Sequence, residues 1–344
     1  MAVSDRAHLD ILVAELPSAL VGAWPGAAAR RLAGVLARAA EQTAPAGDYE
    51  HDLLRVCGMA SGSESACSPP LAAICAAADL GLAVDAIPSA LVRADPVHLR
   101  ADPARLVLFD ATTIGLDEGE ADALIAHLNA AFADDGLRFR RGAAPTRWYV
   151  ELPHCPQVPG ASPNRLRGVP LSADAAARRA HSGLERLLTE IQMVLHDCPP
   201  NAARAAAGLA PVNSLWPWGA GPLPKPSHGF LSVLVSTDFL ARACAAHAGI
   251  PVEDSLTRLP AVLNAAHDRL AVVCAPDTDQ ALPECFVPAV LEPALAALQG
   301  GRLAGITVHC AEHRYVLDRW SRWRVWRKGE ILLDRLRAAH GAGK

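Results

Sequence analysis

Six short apolar runs, set between stretches of helical spacing, constrain this chain more than any other feature. They are HLDILVAEL (8–16), RLVLFD (105–110), RWYVELP (147–153), FLSVLV (230–235), LAVVCA (270–275) and AGITVHC (304–310), and each reads as a strand. Between Asp117 and Phe132 the residues Leu124, Ile125, Leu128 and Phe132 share one helix face, and Asp117 is a good N-cap. A second helix is expected from about Ala173 to Asp197. Its stripe is Leu184, Leu187, Leu188, Ile191, Val194 and Leu195, and Pro199-Pro200 ends it. Strands alternating with helices predict an α/β fold with a mostly parallel sheet covered on both faces.

The length, 344 residues, suits two domains or one large α/β domain with an insertion. Passages rich in Pro and Gly at 153–170 and 217–229 are the expected connections, with boundaries near residues 90 and 225. A formal charge of −4 argues against a general nucleic-acid binder. The first apolar run holds Asp10 and Glu15, unlike a secretory signal, and the longest uncharged span, Ala205 to Pro224, is broken by four prolines. No membrane association is expected, and the expected location is cytoplasmic. Nine cysteines without a C-x-x-C pair read as buried small hydrophobes rather than a zinc site.

Polar and aromatic residues crowd into CPPNAARAAAGLAPVNSLWPWGAG (198–221). Asn201 and Asn213 both donate and accept, and Arg204 offers a fork that suits a carboxylate or phosphate. That set fits a small anionic, hydroxylated ligand. It equally fits asparagines that tie down backbone while the tryptophans fill core. Residue types alone leave both readings open.

The order Asn201-x-x-Arg204-x-x-x-Gly208-x-x-Pro211-Val212-Asn213, then a strand and Gly219-Ala-Gly221, resembles the substrate-domain motif of archaeal-type, cofactor-independent phosphoglycerate mutases. EIQMVLHDCPPN, PVNSLWPWG, RADPVHLRAD, RWYVELP and the C-terminal WRVWRKG look still more like the RpfE-type regulatory proteins, a bacterial family similar to those mutases. The resemblance is strong from about Ala90 to Pro224 and diffuse elsewhere. It implies an alkaline-phosphatase-like α/β core, residues 1–90 and 225–344, carrying an inserted α+β substrate-type domain at 91–224. Position by position it makes Asn201, Arg204 and Asn213 ligand-binding candidates, with Arg100, Arg105 and Arg147 added from the neighbouring motifs.

In the mutases the core holds two metals and a serine-type nucleophile. The metals bind phosphate oxygens and lower the nucleophile's pKa. The resemblance therefore requires Asp-Gly after the first strand, Asp-x-x-x-His late in the chain, and an Asp-His pair ending a later strand. The corresponding positions here are Glu15-Leu16, Asp277 to Ala281, and Glu312-His313; Ser61, Ser63 and Ser65 have no recognisable frame. Too few ligands remain for two metals. The expectation is no metal cofactor and no catalytic residue, with a single-ion remnant of Glu15, Asp277, Glu312 and His313, taking Mn²⁺ or Mg²⁺, as the alternative.

Two other motifs read as incidental or structural. HCAEH (309–313) matches the inverted zinc-peptidase pattern, but it ends a strand-like run rather than lying on a helix. RYVLDRWSRWRVWRKG alternates Arg with Trp320, Trp323 and Trp326 and reads as an amphipathic element, its tryptophans on the core and its arginines snorkelling outward. The leading expectation is a phosphoglycerate-mutase-like pseudoenzyme with a regulatory role, binding a small phosphorylated or carboxylated metabolite. An active mutase or phosphatase with a reduced metal site is one alternative. A scaffold recruiting a protein partner through the Trp/Arg tail is the other.

Overall fold

The structure is a computed structural model that describes residues 7–13, 26–43, 49–59, 69–102, 105–154, 158, 162–166, 170–171, 184–227, 231–274, 285–310, 313–324 and 326–341. The chain divides into two compact units, Met1–Glu64 with Lys225–Lys344, and Ser65–Pro224. In chain order the strands are β1 (Ala7–Val13) and β2 (Ala40–Thr43) in the first unit. The second contributes β3 (Leu91–Asp102), β4 (Arg105–Asp110), β5 (Arg138–Arg141), β6 (Trp148–Glu151), β7 (Pro170–Leu171) and β8 (Ser214–Trp218). The first resumes with β9 (Val233–Val235), β10 (Val252–Glu253), β11 (Arg269–Cys274), β12 (Leu303–Cys310) and β13 (His313–Asp318).

The first unit holds a seven-stranded sheet in the order β10-β9-β11-β1-β12-β13-β2. From β10 to β12 every neighbouring pair is parallel, and β13 and β2 close the other edge antiparallel. This is the mostly parallel α/β sheet that the apolar runs predict. Alternation along the strands gives the sheet two different faces. Leu9, Ile11 and Val13 of β1, Val272 of β11 and Ile306 and Val308 of β12 join one apolar core. Helices Gly26–Leu36, Leu259–Asn264 and Glu292–Gln299 supply its other wall, together with Leu332 and Leu333 of the last helix. Each fully buried Leu, Ile or Val there contributes about 1.5–3 kcal/mol. His8, Asp10, Thr307 and His309 occupy the alternate positions, on the face that helix Tyr49–Val56 meets through β1.

The close pairing of helices Gly26–Leu36 and Gly329–Gly341 depends on Gly329. A Cβ there would stand 2.6 Å from the backbone nitrogen of Gly34. The final glycine of WRVWRKG is thus a packing requirement.

The second unit is α+β. Its six strands run β5-β6-β3-β4-β7, with β8 pairing β3, and every pairing is antiparallel. Two of the six apolar runs, 105–110 and 147–153, therefore belong to an antiparallel sheet. Only residues 103–104 separate β3 from β4, far too few for a parallel crossover. Helix Glu118–Ala131 packs Ala121, Leu124, Ile125 and Leu128 into this core, and Asp117 and Glu120 form a reciprocal capping box at its start. Helix Glu185–His196 gives Leu188, Ile191 and Leu195 to the same core, and Pro199 opens the following helix, Pro199–Ala206. Residues 173–183, expected at the start of the longer helix, lie outside the described residues.

The first division between units falls at 64/65, ahead of the expected position near residue 90. Helix Ala72–Leu80 accounts for the difference, because it is tied to the second unit: Ala72 N–H donates to Gly219 O at 2.8 Å, and Asp79 at its end holds Arg147 and Tyr149. Among the described residues no helix is long and apolar enough to cross a membrane.

Candidate functional site

Three of the five motifs that carry the resemblance meet on neighbouring strands of the second unit. RADPVHLRAD supplies β3, RWYVELP supplies β6 and PVNSLWPWG supplies β8. At their centre Arg93 and Asp95 form a buried ion pair, Nη2 to Oδ2 2.7 Å. Asp95 also accepts the indole N–H of Trp218 at 2.8 Å and the backbone N–H of Trp148 at 3.1 Å. The Arg93 guanidinium lies 4.9 Å from the Trp218 ring and 5.3 Å from that of Tyr149. Burial opposes its charge, but the facing Asp95 outweighs burial and holds its pKa above the ordinary arginine value. The tryptophans of the motif thus fill core and anchor a carboxylate.

The sequence-derived ligand candidates are occupied close by. Asn201 is buried, donating to Leu195 O and Val212 O at 2.7 Å each and accepting from Val212 N–H at 2.9 Å. Asn213 pairs with Leu99 as a backbone strand would, accepting its N–H at 2.7 Å and donating to its carbonyl at 2.8 Å. The Arg204 side chain is fully buried; it donates to Ala210 O at 3.0 Å, to Ile114 O at 2.6 Å and to the Glu120 carboxylate. All three knit the helix Pro199–Ala206 and the following loop to β3, to Ile114 and to the capped helix.

Arg147 forks onto Asp79, Nη2 to Oδ1 2.8 Å and Nε to Oδ2 2.8 Å, and Tyr149 O–H donates to the same carboxylate at 2.5 Å. Arg100 is exposed, its guanidinium 5.0 Å from the Phe109 ring. Arg105 pairs its backbone with Asp102, and its side chain lies outside the described residues. The structure therefore groups Asn201, Arg204 and Asn213 around one loop and leaves Arg100 presenting its cation outward.

In the first unit the polar face of the sheet carries a second cluster. Asp10 Oδ1 meets His309 Nε2 at 2.8 Å, and His309 Nδ1 faces Asp52 Oδ2 at 3.7 Å. The side chains of all three are no more than 7 % exposed. Arginines close the outer sides: Arg269 Nε binds Asp10 Oδ2 at 2.9 Å, while Arg314 Nη2 at 3.1 Å and Arg55 Nη1 at 2.6 Å share Asp52 Oδ1. His8 Nε2 lies 2.9 Å from Thr307 Oγ1 beside them.

Burial alone would lower the His309 pKa, but its hydrogen bond to Asp10 and the charges of Asp10 and Asp52 more than offset that and raise it above 6.5. Burial would likewise raise both carboxylates, yet each is held below 3.8, Asp10 by His309 and Arg269, and Asp52 by His309, Arg314 and Arg55. His8 runs the other way: burial, with Arg269 and His309, lowers it against the pull of Asp10. The arrangement is an imidazole held between two carboxylates, which raise its pKa. Sequence reasoning missed it, although the polar residues at alternate positions in HLDILV and ITVHC give the signal.

Ser236 and Asp238 follow β9 at the carboxyl end of the same sheet. Ser236 Oγ–H donates to Val273 O at 2.7 Å, and Asp238 caps the helix Phe239–His247 and accepts from Tyr49 O–H at 3.1 Å. Glu15, Asp277 and Glu312 follow β1, β11 and β12 in the chain and lie outside the described residues, as do Ser61, Ser63 and Ser65. His313, the remaining member of the single-ion set, opens β13 and pairs with Glu41 at 3.1 Å. Among the described residues no group of three or more His, Cys, Asp or Glu has the geometry to hold a metal ion. The two histidines of HCAEH stand on facing strands of a hairpin, His309 on β12 and His313 on β13, where no helix face unites them.

The tryptophan-rich tail corrects an expectation. Trp320, Trp323 and Trp326 are 59 %, 60 % and 70 % exposed rather than packed on the core. Two arginines reach backbone carbonyls instead, the half-buried Arg324 donating to Arg38 O at 3.0 Å and the exposed Arg327 to Ala39 O at 2.7 Å. A 3₁₀ turn, Ser321–Trp323, replaces the expected amphipathic element and sets its residues at three-residue spacing.

No family model matches the chain, and no curated protein matches it. Among solved structures it is similar to a cofactor-independent phosphoglycerate mutase from Thermoplasma acidophilum, with a TM-score of 0.41 and 14 % identity over 90 % of this chain and 89 % of that one. It is also similar to a protein from Pyrococcus horikoshii, with a TM-score of 0.45 and 14 % identity over 91 % and 86 % of the two chains.

Proposed function

We propose that this chain is a phosphoglycerate-mutase-like protein that works by binding, in a regulatory or metabolite-sensing role within the cytoplasm, and not by phosphoryl transfer. One observation carries the reading: both buried carboxylates on the polar face of the sheet are already neutralised. Asp10 and Asp52 share His309 and are capped by Arg269, Arg314 and Arg55. A divalent cation brought there would meet the guanidinium groups of Arg269, Arg314 and Arg55, and displacing them would cost the ion pairs that stabilise the buried charges. The sequence supports the same reading, with Leu16 and Ala281 where the mutase pattern has glycine and histidine.

The proposed ligand is a small phosphorylated or carboxylated metabolite. Arg100 is the residue of the motif set that offers it an exposed cation, while Asn201, Arg204 and Asn213 frame the loop behind.

Assay of the purified protein for interconversion of 3- and 2-phosphoglycerate and for hydrolysis of p-nitrophenyl phosphate, with Mn²⁺ or Mg²⁺, tests this. No turnover above the blank is expected. Turnover that disappears in Asp277→Ala contradicts it and establishes the metal-dependent enzyme instead. A thermal-shift series with 3-phosphoglycerate tests the ligand: saturation at a hundred times Kd adds about 2.7 kcal/mol to wild type. The Arg100→Ala variant is expected to lose that gain.

A further inference from the structure

The exposed tryptophans of the first unit form a built surface. Asp318 Oδ1 accepts the backbone N–H groups of Trp320 and Ser321 at 2.8 Å each and the Ser321 hydroxyl at 3.1 Å, which fixes the turn that carries Trp320 and Trp323. Arg324 and Arg327 bolt the segment to backbone carbonyls after the helix Gly26–Leu36, and the chain then enters the helix that Gly329 seats against Gly34. The tryptophans are thus carried on a segment tied down by five hydrogen bonds rather than on a loose tail. Trp148, Trp216 and Trp218, by comparison, are at most 4 % exposed.

Their chemistry is directional. Arg319 stacks on Trp320, 4.7 Å from ring centre, and Arg322 on Trp323, 5.0 Å. Asp318, the nearby acid, spends Oδ1 on the turn and faces Arg324 with Oδ2 at 3.7 Å. The result is a cationic, aromatic surface on a chain whose formal charge is −4. Beside it runs a groove of about 850 Å³, lined by the helix end and turn from Leu298 to Gly301, by Leu303 and Ala304, and by Asp318, Arg319, Trp320 and Arg322. Rigid Trp and Arg around a concave, partly apolar trough are the residues that dominate protein–protein binding energy.

The geometry points to a docking site for an acidic segment of a protein partner, its apolar anchor seated in the groove and its carboxylates on Arg319 and Arg322. A flat anionic membrane would leave the groove empty, and a nucleic acid needs a wider basic field than these few cations supply.

The test pans a randomised twelve-residue peptide display library on the full chain, with counter-selection on Trp320→Ser/Trp323→Ser, both positions being solvent-exposed. The proposal expects enriched sequences with Asp or Glu flanking an apolar residue. It also expects the synthetic consensus peptide to bind at least about tenfold more weakly to Arg319→Glu/Arg322→Glu, and severalfold more weakly as NaCl rises from about 0.05 to 0.5 M. Circular dichroism melts of each variant guard against misfolding; if the charge-reversal pair does not fold, Arg319→Gln/Arg322→Gln replaces it. Neutral or basic consensus sequences, enrichment insensitive to the tryptophans, or a patch-dependent signal only with phosphatidylserine vesicles or poly(U) would overturn it. Patch-dependent self-association in sedimentation would overturn it too, since the occupant would then be a second copy.

Discussion

Against the effect of burial, the two carboxylates that flank His309 raise its pKa, and this fixes the sign of its contribution to stability. A histidine whose folded pKa is raised stabilises the fold fully below its unfolded value, here 6.5, and loses that contribution as pH rises through the folded value. Asp10 and Asp52, lowered below 3.8, behave oppositely: their contribution is present above 3.8 and is lost as pH falls through their folded values. Stability is therefore expected to be greatest between these limbs. His309→Ala should cost about 3–5 kcal/mol at pH 6, because it leaves two buried carboxylates without their shared partner. The cost should shrink at pH 9, and urea unfolding at the two pH values measures both numbers. An equal loss at both would contradict the pH dependence that a raised pKa requires. Arg204→Ala is expected to cost a similar amount by stranding Glu120 and the carbonyls of Ala210 and Ile114. Asn213→Ala, which breaks two hydrogen bonds to Leu99, should cost about 1–3 kcal/mol.

Among the elements, those built on plain periodicity were legible in the sequence and those built on buried charge were not. The helix Glu118–Ala131 was readable from its apolar spacing and from Asp117, which caps it as expected. β3 escaped notice because Arg93, Asp95, His98, Arg100 and Asp102 make it look like a loop, and Pro96 argues against a strand interior. Only the folded unit supplies what pairs Arg93 with Asp95. The tail misled for a related reason: three-residue spacing of tryptophans suggests an inward stripe, but in a 3₁₀ turn it brings them out together while arginines find backbone carbonyls. Two glycines test the close packing of elements. Gly219, at φ 72° with a Cβ position 2.9 Å from Ala72 N, should lose about 1–3 kcal/mol on Gly219→Ala through a left-handed backbone and a clash with a hydrogen-bonded amide. Gly329→Ala should lower the melting temperature by separating the first and last helices, and Gly329→Ser should lower it further, as differential scanning calorimetry would measure. A neutral Gly329→Ala would mean that those helices do not approach so closely.

At the scale of the whole molecule, the compact second unit begins ahead of the motifs of the resemblance, because it includes the apolar helix Ala72–Leu80, which bears none of them. A fragment spanning 65–224 is expected to unfold cooperatively. One spanning 91–224 lacks Asp79 beneath Arg147 and Tyr149, and the amide of Ala72 on Gly219; it should show no sigmoidal urea transition. The candidate site was half legible in the sequence. Asn201, Arg204 and Asn213 were found by type and spacing, but whether their polar atoms face a ligand or the chain itself depends on partners a hundred residues distant, such as Leu99 and Ile114. The proposed lack of phosphoryl-transfer chemistry is tested most directly by the metal content of the purified protein. After saturation with Mn²⁺ and gel filtration, far less than one equivalent of bound metal is expected, with no change on Glu15→Ala/Asp277→Ala. Two tightly held equivalents, lost in that double variant, would contradict it.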